Sequence, residues 1–305
     1  MEADLGPESD KFFCSAASLA AAEPLTGTAS EGRVWFLLEY RGAWGRKAFE
    51  ESDLPAPAKA HLNAAQKNTP AARVLLIKSQ TLEEDHEFHL YVVLSDEHQP
   101  ALYRFMLREY SDVVDIDLAA VVARDPRYTS ALQSEPLFLV CTNGRRDPCC
   151  AKFGLPVFVE ALRVGGSTVW QSSHVGGHRF AANLVCFPHG LYYGRVAAED
   201  VDKILIAYRQ KQMYLPLLRG RAVYGEAAQA GEIFLREQTG VLDVEAYRLR
   251  ESVKTEQGTW QVSFEELATG QVFQVCLQEE LDELALFQSC SQDKAKPVRR
   301  YRKVD

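Results

Sequence analysis

Residues 137–162 read LFLVCTNGRRDPCCAKFGLPVFVEAL. The first five, Leu137 to Cys141, are a short apolar run bounded by a polar loop, the pattern of a strand covered on both faces. Leu155, Phe158, Val159 and Leu162 then fall at i, i+3, i+4 and i+7, the apolar stripe of a helix. Between strand and helix lies an Asn-Gly-Arg-Arg-Asp loop with Cys141, Cys149 and Cys150 about it. The stretch is therefore a β-α unit whose connecting loop is rich in soft metal ligands.

Working outward, Thr168–Gln171, Ala182–Phe187 and Leu191–Gly194 read as strands, the last two joined by a tight turn at Pro188-His189-Gly190. Glu199 to Gln212 follows as a charged amphipathic helix. Upstream the same order occurs once before. Val34 to Tyr40 is strand-like, and Ala56 to Asn68 has helical composition closed by Pro70. Arg73–Ile77, Phe88–Leu94 and Ala101–Leu107 are strand candidates, and Ile116 to Ala123 reads as a helix ended by Asp125-Pro126. Each half runs β-α-β-β-β-α. That order suits an α/β (α+β) fold: a thioredoxin-like mixed sheet flanked by helices, in two related halves. Beyond Pro216 the pattern changes to an alanine-rich helix, Ala222–Glu237, and strand-like runs at Val244–Arg250, Thr259–Phe264 and Gln271–Leu277. The expected division is residues 1–130 without ligands, 131–215 with them, and a C-terminal α+β extension over 216–305. Asp293 to Asp305 carries six basic and two acidic residues and reads as a loosely docked tail.

The bulk properties narrow the function classes. At 305 residues the chain is too long for one typical core. A net charge of -8 and a pI near 5.5 argue against nucleic-acid binding. No run has the apolar length of a transmembrane helix, and the acidic stretch from Met1 to Phe13 lacks the basic start and apolar core of a secretory signal. A cytoplasmic location is expected. The seven cysteines are an odd number, and three crowd between 141 and 150, which in a cytosolic chain points to metal or redox chemistry rather than a disulfide framework.

A second ligand-bearing string, His174-Val-Gly-Gly-His178, follows the next strand. Loops leaving neighbouring strand ends lie side by side, so the thiols and imidazoles can converge. Thiolates hold iron–sulfur clusters and zinc, and neutral imidazole suits zinc, copper and iron. Cys149 and Cys150 sit at a helix start, where the dipole favours the thiolate. Gly176-Gly177 lets the backbone approach a bulky group. Cys14, Cys186, Cys276 and Cys290 read as structural, Cys186 as core. His189 reads as exposed at its turn, and His61, His86, His89 and His98 show no partner spacing. Arg145, Arg146 and Asp147 read either as supports of the ligands or as a solvated loop. Tyr192, Tyr193 and Arg195 suit packing and partner docking equally well.

The strings Cys-Thr-Asn-Gly-Arg-Arg-Asp-x-x-Cys, His-Val-Gly-Gly-His-Arg-Phe-Ala-Ala-Asn and Leu-Tyr-Tyr-Gly-Arg-Val together resemble the sucrase/ferredoxin-like proteins. So does CSAASLAAAEPLTGTA from Cys14 to Ala29, with Trp35 to Tyr40 after it. The resemblance covers roughly the first two thirds of the chain. It implies a thioredoxin-like ferredoxin whose 2Fe–2S cluster has Cys141, Cys150, His174 and His178 as ligands, with Cys149 as the alternative to Cys150. No paired carboxylates are placed for glycoside hydrolysis, so the word sucrase carries no weight.

Replacing two thiolates by neutral imidazoles removes negative charge and makes reduction easier. Rieske centres, with two histidines on one iron, span roughly -150 to +300 mV, against about -400 mV for plant-type ferredoxins. The Rieske signature itself is absent, since it mixes Cys and His within each loop. A ligand histidine also titrates at its free nitrogen, which would couple proton to electron transfer. The expected role is an electron carrier rather than an enzyme with its own substrate. With no Gly-x-Gly-x-x-Gly or flavin signature, it would need a separate redox partner, a reductase or an acceptor. Two other classes share these residues: a structural Cys2His2 zinc module, and a thiol–disulfide protein, although the usual Cys-x-x-Cys is absent.

Overall fold

The computed structural model describes residues 12–79 and 87–304. The acidic stretch as far as residue 11, and His86, lie outside the described residues. The elements in chain order are α1 (Cys14–Ala20), β1 (Val34–Glu39), α2 (Ala56–Asn68), β2 (Ala72–Lys78), β3 (Phe88–Leu94), β4 (Ala101–Leu107) and α3 (Leu118–Val122). The second half supplies β5 (Leu137–Cys141), α4 (Pro148–Gly165), β6 (Val169–Ser172), β7 (Leu184–Phe187), β8 (Leu191–Tyr193) and α5 (Val201–Arg209). After these come β9 (Leu218–Arg221), α6 (Glu226–Thr239), β10 (Tyr247–Lys254), β11 (Thr259–Glu266), β12 (Val272–Leu286) and β13 (Lys296–Val304).

β1 and β5 are buried at every position, which is why both read as continuous apolar runs rather than alternations. Their side chains divide between cores. Val34, Phe36 and Leu38 pack with Ala58 and Leu62 of α2, while Phe138 and Val140 pack with α4 and α5. Trp35, Leu37, Leu137, Leu139 and Cys141 share a third core that spans both halves.

The two halves have the same topology. β1 is parallel to β2 and antiparallel to β3, which is antiparallel to β4. β5 repeats these relations with β6, β7 and β8. The halves meet edge to edge through β2 and β6, pairing Ile77 with Ser172 and Lys78 with Gln171, in one nine-stranded sheet ordered β4-β3-β1-β2-β6-β5-β7-β8-β9. This is the mixed, helix-flanked thioredoxin-like arrangement in duplicate, an α+β fold completed by the antiparallel sheet β10-β11-β12-β13. That second sheet packs on α6, where Gly231 leaves room for Val262 of β11. β9 joins the large sheet although it follows Pro216 in sequence.

Three expectations need correction. The stripe of α4 is rotated: Leu155 and Val159 are 45% and 60% exposed, and the buried row is Cys150, Gly154, Val157, Phe158 and Ala161. Close approach to β5 sets this face, because a Cβ at Gly154 would stand 2.2 Å from the Cys141 carbonyl oxygen. The basic C-terminal stretch is a strand, not a loose tail. Val298 and Tyr301 are buried, and the charges beside them meet acidic β12 through Arg299–Glu279 (3.2 Å), Arg302–Glu280 (3.0 Å) and Arg300–Asp282. His189 is enclosed, with Nδ1 2.6 Å from the Tyr208 hydroxyl and Nε2 3.3 Å from Glu245.

Candidate metal centre

The end of β5 carries Cys141, whose N–H donates to the Asn183 carbonyl at 3.0 Å. The chain then turns through residues 142–147 into α4. Asp147 caps that helix, its Oδ1 accepting from the Cys149 N–H at 3.0 Å. Consecutive residues on a helix point about 100° apart, so Cys149 and Cys150 cannot serve one site in the same way. Cys150 turns toward Cys141 and His174. The Nδ1 of His174 lies 3.8 Å from the Cys150 sulfur and 3.9 Å from that of Cys141. Donor atoms of these three residues all lie within 4.8 Å of one another.

His178 meets this group through His174, Nδ1 to Nε2 at 3.3 Å. Its own Nε2 is buried without a hydrogen-bond partner among the described residues, 3.8 Å from Asp147 Oδ2. The loop between the imidazoles is held from beneath. Gly177, at φ +71°, lies against the buried guanidinium of Arg219, which a Cβ would meet at 2.3 Å. Arg219 donates to Asn183 Oδ1 (2.7 Å), the Gly176 carbonyl (3.3 Å), Thr28 Oγ1 (3.1 Å) and the Thr28 carbonyl. Asn183 in turn donates to the Gly177 carbonyl at 3.0 Å, and the Tyr192 hydroxyl donates to that of Val175 at 3.1 Å. Arg179, just after His178, pairs with Glu23 at 2.7 Å. Residues of the Cys14–Ala29 string thus form the floor of the histidine loop.

The electrostatics favour a thiolate. A hydrogen bond from Cys150 holds the Cys141 thiol well below its usual range despite burial, with His174 assisting. The same contact, with burial, pushes Cys150 up, so the free pair shares one proton. Burial, and then His174, lowers His178 to about 4, leaving its imidazole neutral and able to bind a cation. Two sulfurs and two imidazoles, one of them with an unpartnered buried nitrogen, are ligand types that suit either an iron–sulfur cluster or zinc. Outside His178 a cavity of about 320 Å³ opens, lined in part by Arg46, Arg146 and Arg179.

Cys149 turns the other way. Its sulfur lies 3.6 Å from that of Cys14 and 3.4 Å from that of Cys290. A hydrogen bond from Cys14 lowers the Cys149 thiol, and the same contact, with burial, pushes Cys14 up. Asp147 Oδ2 accepts from the Cys290 N–H at 2.8 Å and the Ser289 hydroxyl at 3.1 Å. Sequence reading did not foresee this second group, nor the roles of Arg219 and Asn183. Cys14 lay within a string already singled out, whereas Cys290 and Arg219 gave no local signal.

The sucrase/ferredoxin-like family profile matches residues 25–220. "Altered inheritance of mitochondria protein 32" of Meyerozyma guilliermondii is 29% identical over 122 residues, 37% of this chain and 42% of that protein. The protein of the same name from Debaryomyces hansenii is 34% identical over 80 residues, 23% of this chain and 29% of that protein. The chain thus spans less than half the length of these curated relatives. No solved structure matches it. No helix among the described residues is long and apolar enough to cross a membrane. The profile covers more than half of the chain and includes both the thiol and the histidine loops, and on that ground this chain belongs to the sucrase/ferredoxin-like family.

Proposed function

We propose that this protein is an electron carrier whose 2Fe–2S cluster is held by Cys141, Cys150, His174 and His178. The observation that carries this reading is the enclosed group of two thiols and the His174 imidazole, to which His178 is joined through His174, its buried Nε2 without a hydrogen-bond partner among the described residues. A 2Fe–2S cluster, when bound, supplies one-electron chemistry. The chain's own residues do the rest. Cys141 is primed as a thiolate by Cys150 and His174. Arg219, Asn183 and Tyr192 fix the loop that aims both imidazoles. Burial excludes water from the sulfurs, and His178, beside the arginine-lined cavity, is the group through which a proton would accompany the electron. An unidentified reductase or acceptor would dock there, its acidic groups complementing the arginines. Neither nucleic acid nor membrane is a proposed partner. The reducing cytoplasm, which keeps thiols available, is the proposed location.

The first test is an ultraviolet–visible spectrum of anaerobically purified protein, with iron, zinc and sulfide measured on the same sample. Visible bands that bleach with dithionite, and equal iron and sulfide, are expected. A colourless protein with zinc in place of iron would make this a structural Cys2His2 site and remove the electron-transfer reading. A reduction potential that does not change with pH between about 6 and 10 would remove the proton coupling.

A further inference from the structure

The chain carries a second group of thiols that the proposed cluster does not use. Cys14 comes from the start of α1, Cys149 from the first turn of α4, and Cys290 from the segment between β12 and β13. Their sulfurs and one carboxylate oxygen of Asp147 all lie within 4.8 Å of one another. We propose that Cys14, Cys149, Cys290 and Asp147 form a closed structural site for a thiophilic d10 cation, zinc.

The spacing is that of a metal site rather than a disulfide. Thiolates around tetrahedral zinc, at about 2.3 Å each, stand about 3.8 Å apart, whereas bonded sulfurs are about 2.05 Å apart. Here the separations are 3.6 Å for Cys14–Cys149 and 3.4 Å for Cys149–Cys290. Asp147 Oδ1 is 3.9 Å from the Cys14 sulfur, where it completes a fourth position.

The surroundings are built for anionic sulfur. The Cys14 N–H donates to the Cys290 sulfur at 3.3 Å and the Ser15 N–H to that of Cys149 at 3.5 Å. Asp147 is anchored by the Cys149 and Cys290 N–H groups and by Ser289. Such outer contacts fix ligand geometry in metal sites. Cys14, Asp147 and Cys149 are buried and Cys290 is half-buried, so all four positions belong to protein and none is left for substrate. A closed set of this kind is structural.

The consequence is a staple. Zinc would tie α1 and the β12–β13 connection to the helix that bears Cys150. Asp147 would join the two centres, since its other oxygen lies 3.8 Å from His178 Nε2. The floor of the histidine loop, from Glu23 to Ser30, follows directly from α1.

The experiment is metal analysis of the full chain, purified anaerobically and incubated with zinc, beside Cys14→Ser and Cys290→Ser. Both substitutions lie far in sequence from the proposed cluster ligands. The expected result is one equivalent of zinc beyond the content of the Cys141 site, lost in each variant while iron, sulfide and visible bands persist. If the iron reading fails and the first site also holds zinc, the variants still lose one equivalent and retain the other. Zinc content unchanged in both variants would overturn the proposal. A second readout needs no substitution: mass-spectrometric alkylation of wild-type protein with and without a chelator. Chelation is expected to expose Cys14, Cys149 and Cys290 together. Equal labelling in both conditions, or a Cys14–Cys149 or Cys149–Cys290 disulfide in the anaerobic protein, would overturn it.

Discussion

Cys149 and Cys150 are neighbours in the chain yet face different groups: the Cys150 sulfur lies 3.8 Å from His174 Nδ1, and the Cys149 sulfur lies 3.6 Å from that of Cys14. The divergence follows from the 100° step of a helix, with Asp147 fixing where that helix starts. One turn of α4 thereby serves two clusters of soft ligands, and the carboxylate that caps it touches both.

The divergence separates two single substitutions. Cys150→Ser is expected to abolish iron binding, because an alcohol does not replace a thiolate on iron. Cys149→Ser is expected to keep the iron and the visible bands. Iron assays and spectra on the two variants decide it, and iron lost equally from both would place Cys149 among the cluster ligands.

Gly177 and Gly240 both have φ of +71°, but only at Gly177 would a Cβ strike a neighbour, the Arg219 guanidinium. Gly240→Ala should cost about 1 kcal/mol, the penalty of a left-handed residue at a helix end. Gly177→Ala should cost about 2 kcal/mol more, because displacing Arg219 strips buried carbonyls of their donor. Denaturant unfolding measures both. Iron retention should fall only in Gly177→Ala, since that substitution alone disturbs the histidine loop.

Much of this was legible in the sequence. The apolar runs at Val34 and Leu137 mark strands because those strands are covered on both faces, and the repeated element order anticipates the repeated topology. The ligand loops announce themselves by residue type. Contacts between segments distant in sequence were not legible. Cys290 reaches Cys149 across 141 positions, and Arg219 reaches Thr28 across 191. The basic C-terminal stretch was misread for a related reason. Its charges look like a solvated end until the acidic partners on β12 are known.

The same stretch supplies a contrast between charge and burial. Val298→Asp places an unpaired carboxylate at a buried position of β13 and should cost about 3 kcal/mol. Arg300→Gln breaks the pair with Asp282, partly open to solvent, and should cost less than about 1 kcal/mol. Thermal or denaturant unfolding reads both. A near-neutral Val298→Asp would mean that β13 contributes little to the fold.

His189 gives a prediction in pH. Burial, then the charge of Arg221, lowers its pKa to about 4, against the pull of Glu245. The neutral ring is fully satisfied: the Tyr208 hydroxyl accepts from the His189 N–H and donates to Nδ1, while Nε2–H donates to Glu245. An unfolded histidine titrates near about 6.5, so between pH 6.5 and 4 the unfolded chain binds the proton and the folded one resists it. The stability held by neutral His189 is therefore complete above about pH 6.5 and falls as pH drops toward 4, by up to about 3 kcal/mol. His189→Gln removes the titration. Its stability deficit relative to wild type should be greatest at pH 7–8 and shrink by that amount toward pH 4. Parallel stability curves for the two proteins across this range would show that the imidazole is not held neutral by its burial.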